Sequence, residues 1–80
     1  MRLDKFLKVS RLIKRRTVAK DSCEGGMVLL NNKPAKAGSI VKEGDKLELK
    51  WGERSRKYEI LELKANAGVA EAREMYRECE

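Results

Sequence analysis

Histidine is absent from this 80-residue chain, proline occurs once and cysteine twice. Without an imidazole, a zinc site would need carboxylates and two isolated thiols, because Cys23 and Cys79 belong to no C-x-x-C pair. Free, packed cysteines in a reducing cytosol are the expectation. No apolar run approaches the ~18 residues of a membrane span. Charges interrupt Leu3, Phe6 and Leu7, so the opening lacks the pattern of a secretory signal. The sequence predicts a cytoplasmic protein with no membrane attachment.

The usual groups of catalysis are scarce as well. There is no histidine to act as a base, and Cys23 falls on an inward helical face. No phosphate-binding glycine loop is present. Closely spaced carboxylates occur only near the C-terminus, among glutamates that read as solvent-facing. The expectation is a protein that is not an enzyme and uses no cofactor.

Charge is abundant: 40% of residues are Asp, Glu, Lys or Arg, with a net charge of +6. Between Met1 and Lys20 lie Arg2, Lys5, Lys8, Arg11, Lys14, Arg15, Arg16 and Lys20, against Asp4 alone. Eight minus one gives +7, so the other sixty residues sum to −1. Such a concentration of one sign repels itself and calls for a polyanionic partner. A merely solvated basic face and a basic helix for a membrane surface or an acidic protein are the competing readings. Against the membrane, Leu3, Phe6 and Leu7 are needed for so small a core. Arginine also favours RNA, since its planar fork takes a phosphate bidentately and stacks on bases. Ser10 and Thr17 flank the joint, where hydroxyls could cap a helix or bond a phosphate. Asp4 leaves two roles open, compensating a helix dipole or orienting neighbouring arginines.

Hydrophobic spacing predicts a helix over about residues 2–9 and a second from Arg16 to Glu24. The inner face of the second would carry Val18, Ala19, Ser22 and Cys23, and Gly25-Gly26 would end it. Met27–Leu30 reads as a strand and Asn31-Asn32-Lys33 as a tight turn, with Pro34 and Ala35 starting the return. Lys46–Trp51 alternates with Leu47, Leu49 and Trp51 inward, and Gly52–Ser55 leads into a strand over Lys57–Leu63. Val69, Ala72, Tyr76 and Cys79 then recur at helical spacing. The predicted order is α-α-β-β-β-α in an α+β fold, with residues 1–64 as the domain and 65–80 as a helical tail.

Arg2-Leu3-Asp4-Lys5-Phe6-Leu7, Lys14 to Lys20, Val28 to Lys36 and Gly44-Asp45 together resemble the RNA-binding domain named after ribosomal protein S-four, the alpha-L motif. The resemblance covers about residues 1–51, with Asn31-Asn32 or Asn32-Lys33 where the family usually has Asn-Gly. It implies two short N-terminal helices packed on a small, mostly antiparallel sheet. The chain is most similar to stand-alone members, the RqcP-type bacterial ribosome-quality-control factors and the fifteen-kilodalton heat-shock proteins. That implies binding, as a monomer, to a large ribosomal subunit still carrying peptidyl-tRNA. Its partners would be large-subunit rRNA, the P-site tRNA and the alanine-tailing factor RqcH. Arg2 and Arg16 are the leading RNA contacts on this basis. Lys5, Lys14, Arg15 and Lys20 follow, then Lys8, Arg11, Ser10 and Thr17, with Asn32, Lys33 and Lys36 forming a second edge. An RNA-binding accessory subunit for a separately encoded modifying enzyme is the alternative.

Overall fold

A computed structural model describes residues 1–79 of the chain. Helix α1 (Leu3–Val9) forms because Leu3, Phe6 and Leu7 share one stripe, and all three are fully buried. No side chain caps it. Its first free N–H groups are satisfied from elsewhere: Leu3 donates to the Ser39 carbonyl at 2.7 Å and Asp4 to that of Ala37 at 3.1 Å. Lys5 N–H donates to the Asp4 carboxylate at 2.8 Å. The loop over residues 35–45 thus anchors the start of α1, and a single bridge pairs Arg2 with Ile40.

Helix α2 (Arg16–Glu24) buries Ala19 and Cys23. It ends in a Schellman turn, with Gly26 N–H on the Cys23 carbonyl and Met27 N–H on that of Ser22. Gly26 supplies the required positive φ of 77°. Val18, expected inward, is 47% exposed. Between the helices Arg11 holds φ at 65°, a left-handed turn that redirects the chain.

The sheet contains β1 (Val28–Leu30), β2 (Lys33–Pro34), β3 (Lys46–Trp51), β4 (Arg54–Ile60) and β5 (Tyr76–Cys79). Its order is β2-β1-β3-β4-β5, and every neighbouring pair is antiparallel. Asn31 and Asn32 form the two-residue β1–β2 turn with φ of 52° and 68°, the handedness such hairpins need. The Asn31 side chain also reaches β3, accepting from Lys46 N–H at 3.0 Å. Register places Leu47 opposite Tyr58 and Leu49 opposite Arg56, so Val28, Leu30, Leu47, Leu49, Tyr58 and Ile60 share the face under the helices. The α+β class and the two-helix-on-sheet arrangement expected from sequence are present.

The C-terminal expectation needs correction. Of the tail read as helical over 65–80, only Val69–Arg73 is helix (α3), and Tyr76–Cys79 is a strand on the edge of β4. Tyr76 is set edge-on to Tyr58, ring centres 5.4 Å apart, while Met75 is fully buried. Position 80 of that tail lies outside the described residues. The fourth strand also starts earlier and ends sooner than the predicted Lys57–Leu63. Trp51, expected inward with Leu47 and Leu49, is 49% exposed.

Candidate nucleic-acid interface

The basic helices meet at one carboxylate. Asp4 is buried in the first turn of α1. Its Oδ1 lies 3.2 Å from Arg2 Nε and its Oδ2 lies 3.5 Å from Arg16 Nε. Arg2 Nη2 also donates to Oδ2 at 3.4 Å. A buried charge is costly unless paired, and Asp4 is paired on both oxygens. The two guanidiniums are each half exposed and carry further N–H groups beyond those that face Asp4. Of the two roles the sequence left open for Asp4, the structure shows the orienting one. The carboxylate also belongs to the first turn, where a negative charge complements the helix dipole.

Around this pair, Lys8, Arg11, Lys14, Arg15, Thr17 and Lys20 are exposed and Lys5 is half-buried. Arg11 donates to the Ala67 carbonyl at 3.4 Å, which ties the joint to the segment before α3. Among the described residues no side chain caps α2, whose N-cap is Arg15, so the start of that helix stays open beside Arg16. An open helix N-terminus with adjoining arginines suits phosphate oxygens.

Four of the sequence-based candidates sit differently from the rest. Ser10 is buried, its hydroxyl donating to the Leu7 carbonyl at 3.3 Å, and it caps nothing in α2. The hydroxyl closes the end of α1, where it has no access to a ligand. Asn32 opens on a shallow cleft shared with Lys46, Lys57 and Arg77, on the sheet face turned away from the helices. It is therefore not part of the Arg2–Arg16 surface. Lys36 is exposed and lies 3.9 Å from Glu24 at the end of α2, and Lys33 is exposed at the hairpin.

Sequence reasoning passed over Lys50, Arg54, Arg56 and Lys57 on the β3–β4 hairpin, where Glu53 sits at the turn, Glu48 faces Lys57 across the ladder and Glu78 lies 3.9 Å from Arg56. Their signal was present, four cations within eight residues of a lone tryptophan, but the near-neutral total of residues 21–80 hid it. The thiol of Cys23 is no candidate for chemistry. Burial, then the negative charges of Asp4 and Glu24, push it up to about 11.

Comparison with known proteins identifies the family. The S4 domain family model matches residues 1–47. A relative from Halalkalibacterium halodurans named RQC P-site tRNA stabilizing factor is 53% identical over 76 residues, covering 95% of this chain and 86% of the relative. The Heat shock protein 15 homolog of Haemophilus influenzae is 38% identical over 81 residues, spanning all of this chain and 62% of that protein. The trimeric structure of Heat Shock Protein 15 from Vibrio cholerae superposes with a TM-score of 0.90 at 34% identity, over 99% of this chain and 81% of that one. A shared fold, helix pair and matched sequence over more than half its length make this chain a member of the S4 domain family.

Proposed function

We propose that the protein is a non-enzymatic rRNA- and tRNA-binding factor of ribosome-associated quality control, working in the cytoplasm. It binds the large ribosomal subunit that still carries peptidyl-tRNA after a stalled ribosome splits. There it steadies the P-site tRNA while RqcH adds a C-terminal alanine tail. The carrying observation is the Arg2–Asp4–Arg16 arrangement, which presents two oriented guanidiniums from neighbouring helices. The names borne by the relatives, RQC P-site tRNA stabilizing factor above all, support the ribosomal setting.

Recognition is by shape and backbone. Short helices present fixed charges to phosphates, and the folded RNA supplies the selectivity. Arg2 and Arg16 lead, with Lys5, Lys14, Arg15 and Lys20 next and Lys8, Arg11 and Thr17 at the margin. Neutralising about five phosphates gives a log–log salt slope of roughly −4.

Sedimentation of cell extracts tests the assignment. A tagged chain should travel, one copy per particle, with free large subunits that retain tRNA, and loss of the chain should shorten alanine tails on stalled peptides. Recovery only in RNA-free fractions, with tails unaltered, would contradict it. A nuclease-resistant complex with an RNA-modifying enzyme would favour the accessory-subunit alternative.

A further inference from the structure

The tip of the β3–β4 hairpin carries a feature that the basic helices do not explain. Alternation puts Trp51 on the same face as Leu47 and Leu49, which are 1% and 2% exposed, yet Trp51 is 49% exposed. The helix layer covers the sheet as far as Leu49. One step further the hairpin overhangs, and the indole stands clear.

Two clefts flank the indole. One, of about 360 Å³, runs along Ile13, Met27 and Leu49, and the other, of about 630 Å³, along Leu12, Arg54 and Arg56. Both fall in the ~300–1,000 Å³ range of small-ligand sites. Leu12 and Ile13 belong to the α1–α2 joint, so each cleft reaches that joint through one apolar residue. Arg54 faces Trp51 directly across the ladder, and Lys50 precedes it in the chain. Single exposed apolar residues are ordinary. An exposed indole between two clefts, with Arg54 and Arg56 on its own face of the sheet and Lys50 beside it in the chain, is a different object, suited to a flat ring that carries a phosphate.

We infer that Trp51 is a stacking platform for an unpaired RNA base, with Lys50, Arg54 and Arg56 holding the adjoining phosphates. The inference rests on the RNA-binding reading and adds to it a second surface, on the sheet, that reads single-stranded nucleotides while the helices grip backbone. An acidic or apolar protein segment is the rival occupant. The cations argue against a purely apolar one, and the open π-face of the indole favours a base over a carboxylate.

The chain has one tryptophan, so its fluorescence reports this position alone. The full-length protein would be titrated with a hairpin RNA bearing an unpaired loop, with a blunt duplex of the same stem, and with poly-glutamate. Quenching by the loop RNA and not by the duplex or poly-glutamate is expected. Trp51→Phe should keep loop affinity. Trp51→Leu, which keeps apolar bulk without a π-face, should lose about 5- to 150-fold, the equivalent of stacking worth about 1–3 kcal/mol. Duplex affinity should hold in that variant, whereas Arg16→Ala should weaken both RNAs. Absence of quenching, with Trp51→Leu equal to the parent and Arg16→Ala still impaired, would overturn the platform and leave the RNA reading standing. Equal losses on both RNAs with a lowered melting temperature would mark Trp51 as structural and overturn it too. Quenching by poly-glutamate would hand the surface to a protein partner. Failure of the parent chain to bind either RNA would remove the RNA reading itself.

Discussion

Two charge clusters at opposite ends of the chain invert one another. Near the start, one carboxylate, Asp4, holds two arginines. Near the end, one ammonium, Lys64, gathers Glu62 at 3.6 Å, Glu71 at 3.8 Å and Glu74 at 3.5 Å. The hubs differ in burial, with side chains 4% and 24% exposed respectively. They differ more in what they leave over. Asp4 occupies one edge of each guanidinium and turns the other N–H groups outward. Lys64 brings its partners together within the chain, clasping α3 to the segment after β4. The first cluster leaves donors at the surface, and the second is a fastening. Number of charges does not separate the two; unspent donors around a buried hub do.

Asp4→Asn should break the comparison most severely. Losing one partner of a hydrogen-bonded charged group costs about 1–3 kcal/mol. At roughly 4–8 °C per kcal/mol for a chain of this size, melting should fall by about 4–24 °C, followed by circular dichroism. RNA affinity should drop beyond either single arginine variant, because both guanidiniums lose their fixed bearing. The Cys23 thiol, at about 11 in the parent, should move back toward its ordinary value without reaching it, since burial remains. The pH dependence of alkylation checks this.

Arg2→Ala and Arg16→Ala come next. Each should reduce the magnitude of the salt slope by about one unit in filter-binding titrations. Both side chains are half exposed, so the fold should persist. Two unchanged slopes would relocate the interface.

Lys64→Met should leave RNA affinity alone and lower melting by less than about 4 °C. Its own desolvation lowers the Lys64 pKa, but Glu62, Glu74 and Glu71 outweigh that and raise it overall. The folded chain therefore holds this proton more tightly than the unfolded one. The clasp is fully present below the usual lysine value of about 10.4 and is lost as pH climbs through the raised one. Alkaline melting of the parent and of Lys64→Met should converge there.

The smallest effect belongs to a charge row on the outer sheet face, where Glu59 bridges Arg77 Nε at 2.7 Å and Lys46 Nζ at 3.3 Å. Hydrogen bonds from Arg77, then Lys46, hold its carboxyl below the usual range. Its contribution is present above the ordinary glutamate value of about 4.3 and disappears as pH falls through the lowered one. Glu59→Gln should flatten the acid limb of the melting profile slightly.

The same contrast governs what the sequence made legible. Both N-terminal helices could be read from it, because Leu3, Phe6 and Leu7 state a period within two turns and two glycines mark a stop. Arg2 and Arg16 could be singled out, yet their meeting at Asp4 depends on how α1 crosses α2, which no local pattern encodes. Val69, Ala72, Tyr76 and Cys79 match helical spacing, yet Tyr76–Cys79 is a strand. What decides that segment is the free edge of β4 and the ring of Tyr58, both distant in sequence. Trp51 was misplaced for a related reason: alternation reports which face a residue occupies, and not how far the covering layer extends. Ser10 looked available because hydroxyls usually are, but the turn closing α1 consumes it.

The strand order has a consequence for self-association. A free sheet edge is a template on which another chain can grow. Here β2 forms one margin, two residues long and half proline, so Pro34 has no N–H to donate outward. The other margin is the four-residue β5, where Arg77 and Glu78 are exposed. Among the described residues, neither border offers the long, flat, uncharged ribbon from which fibres are seeded.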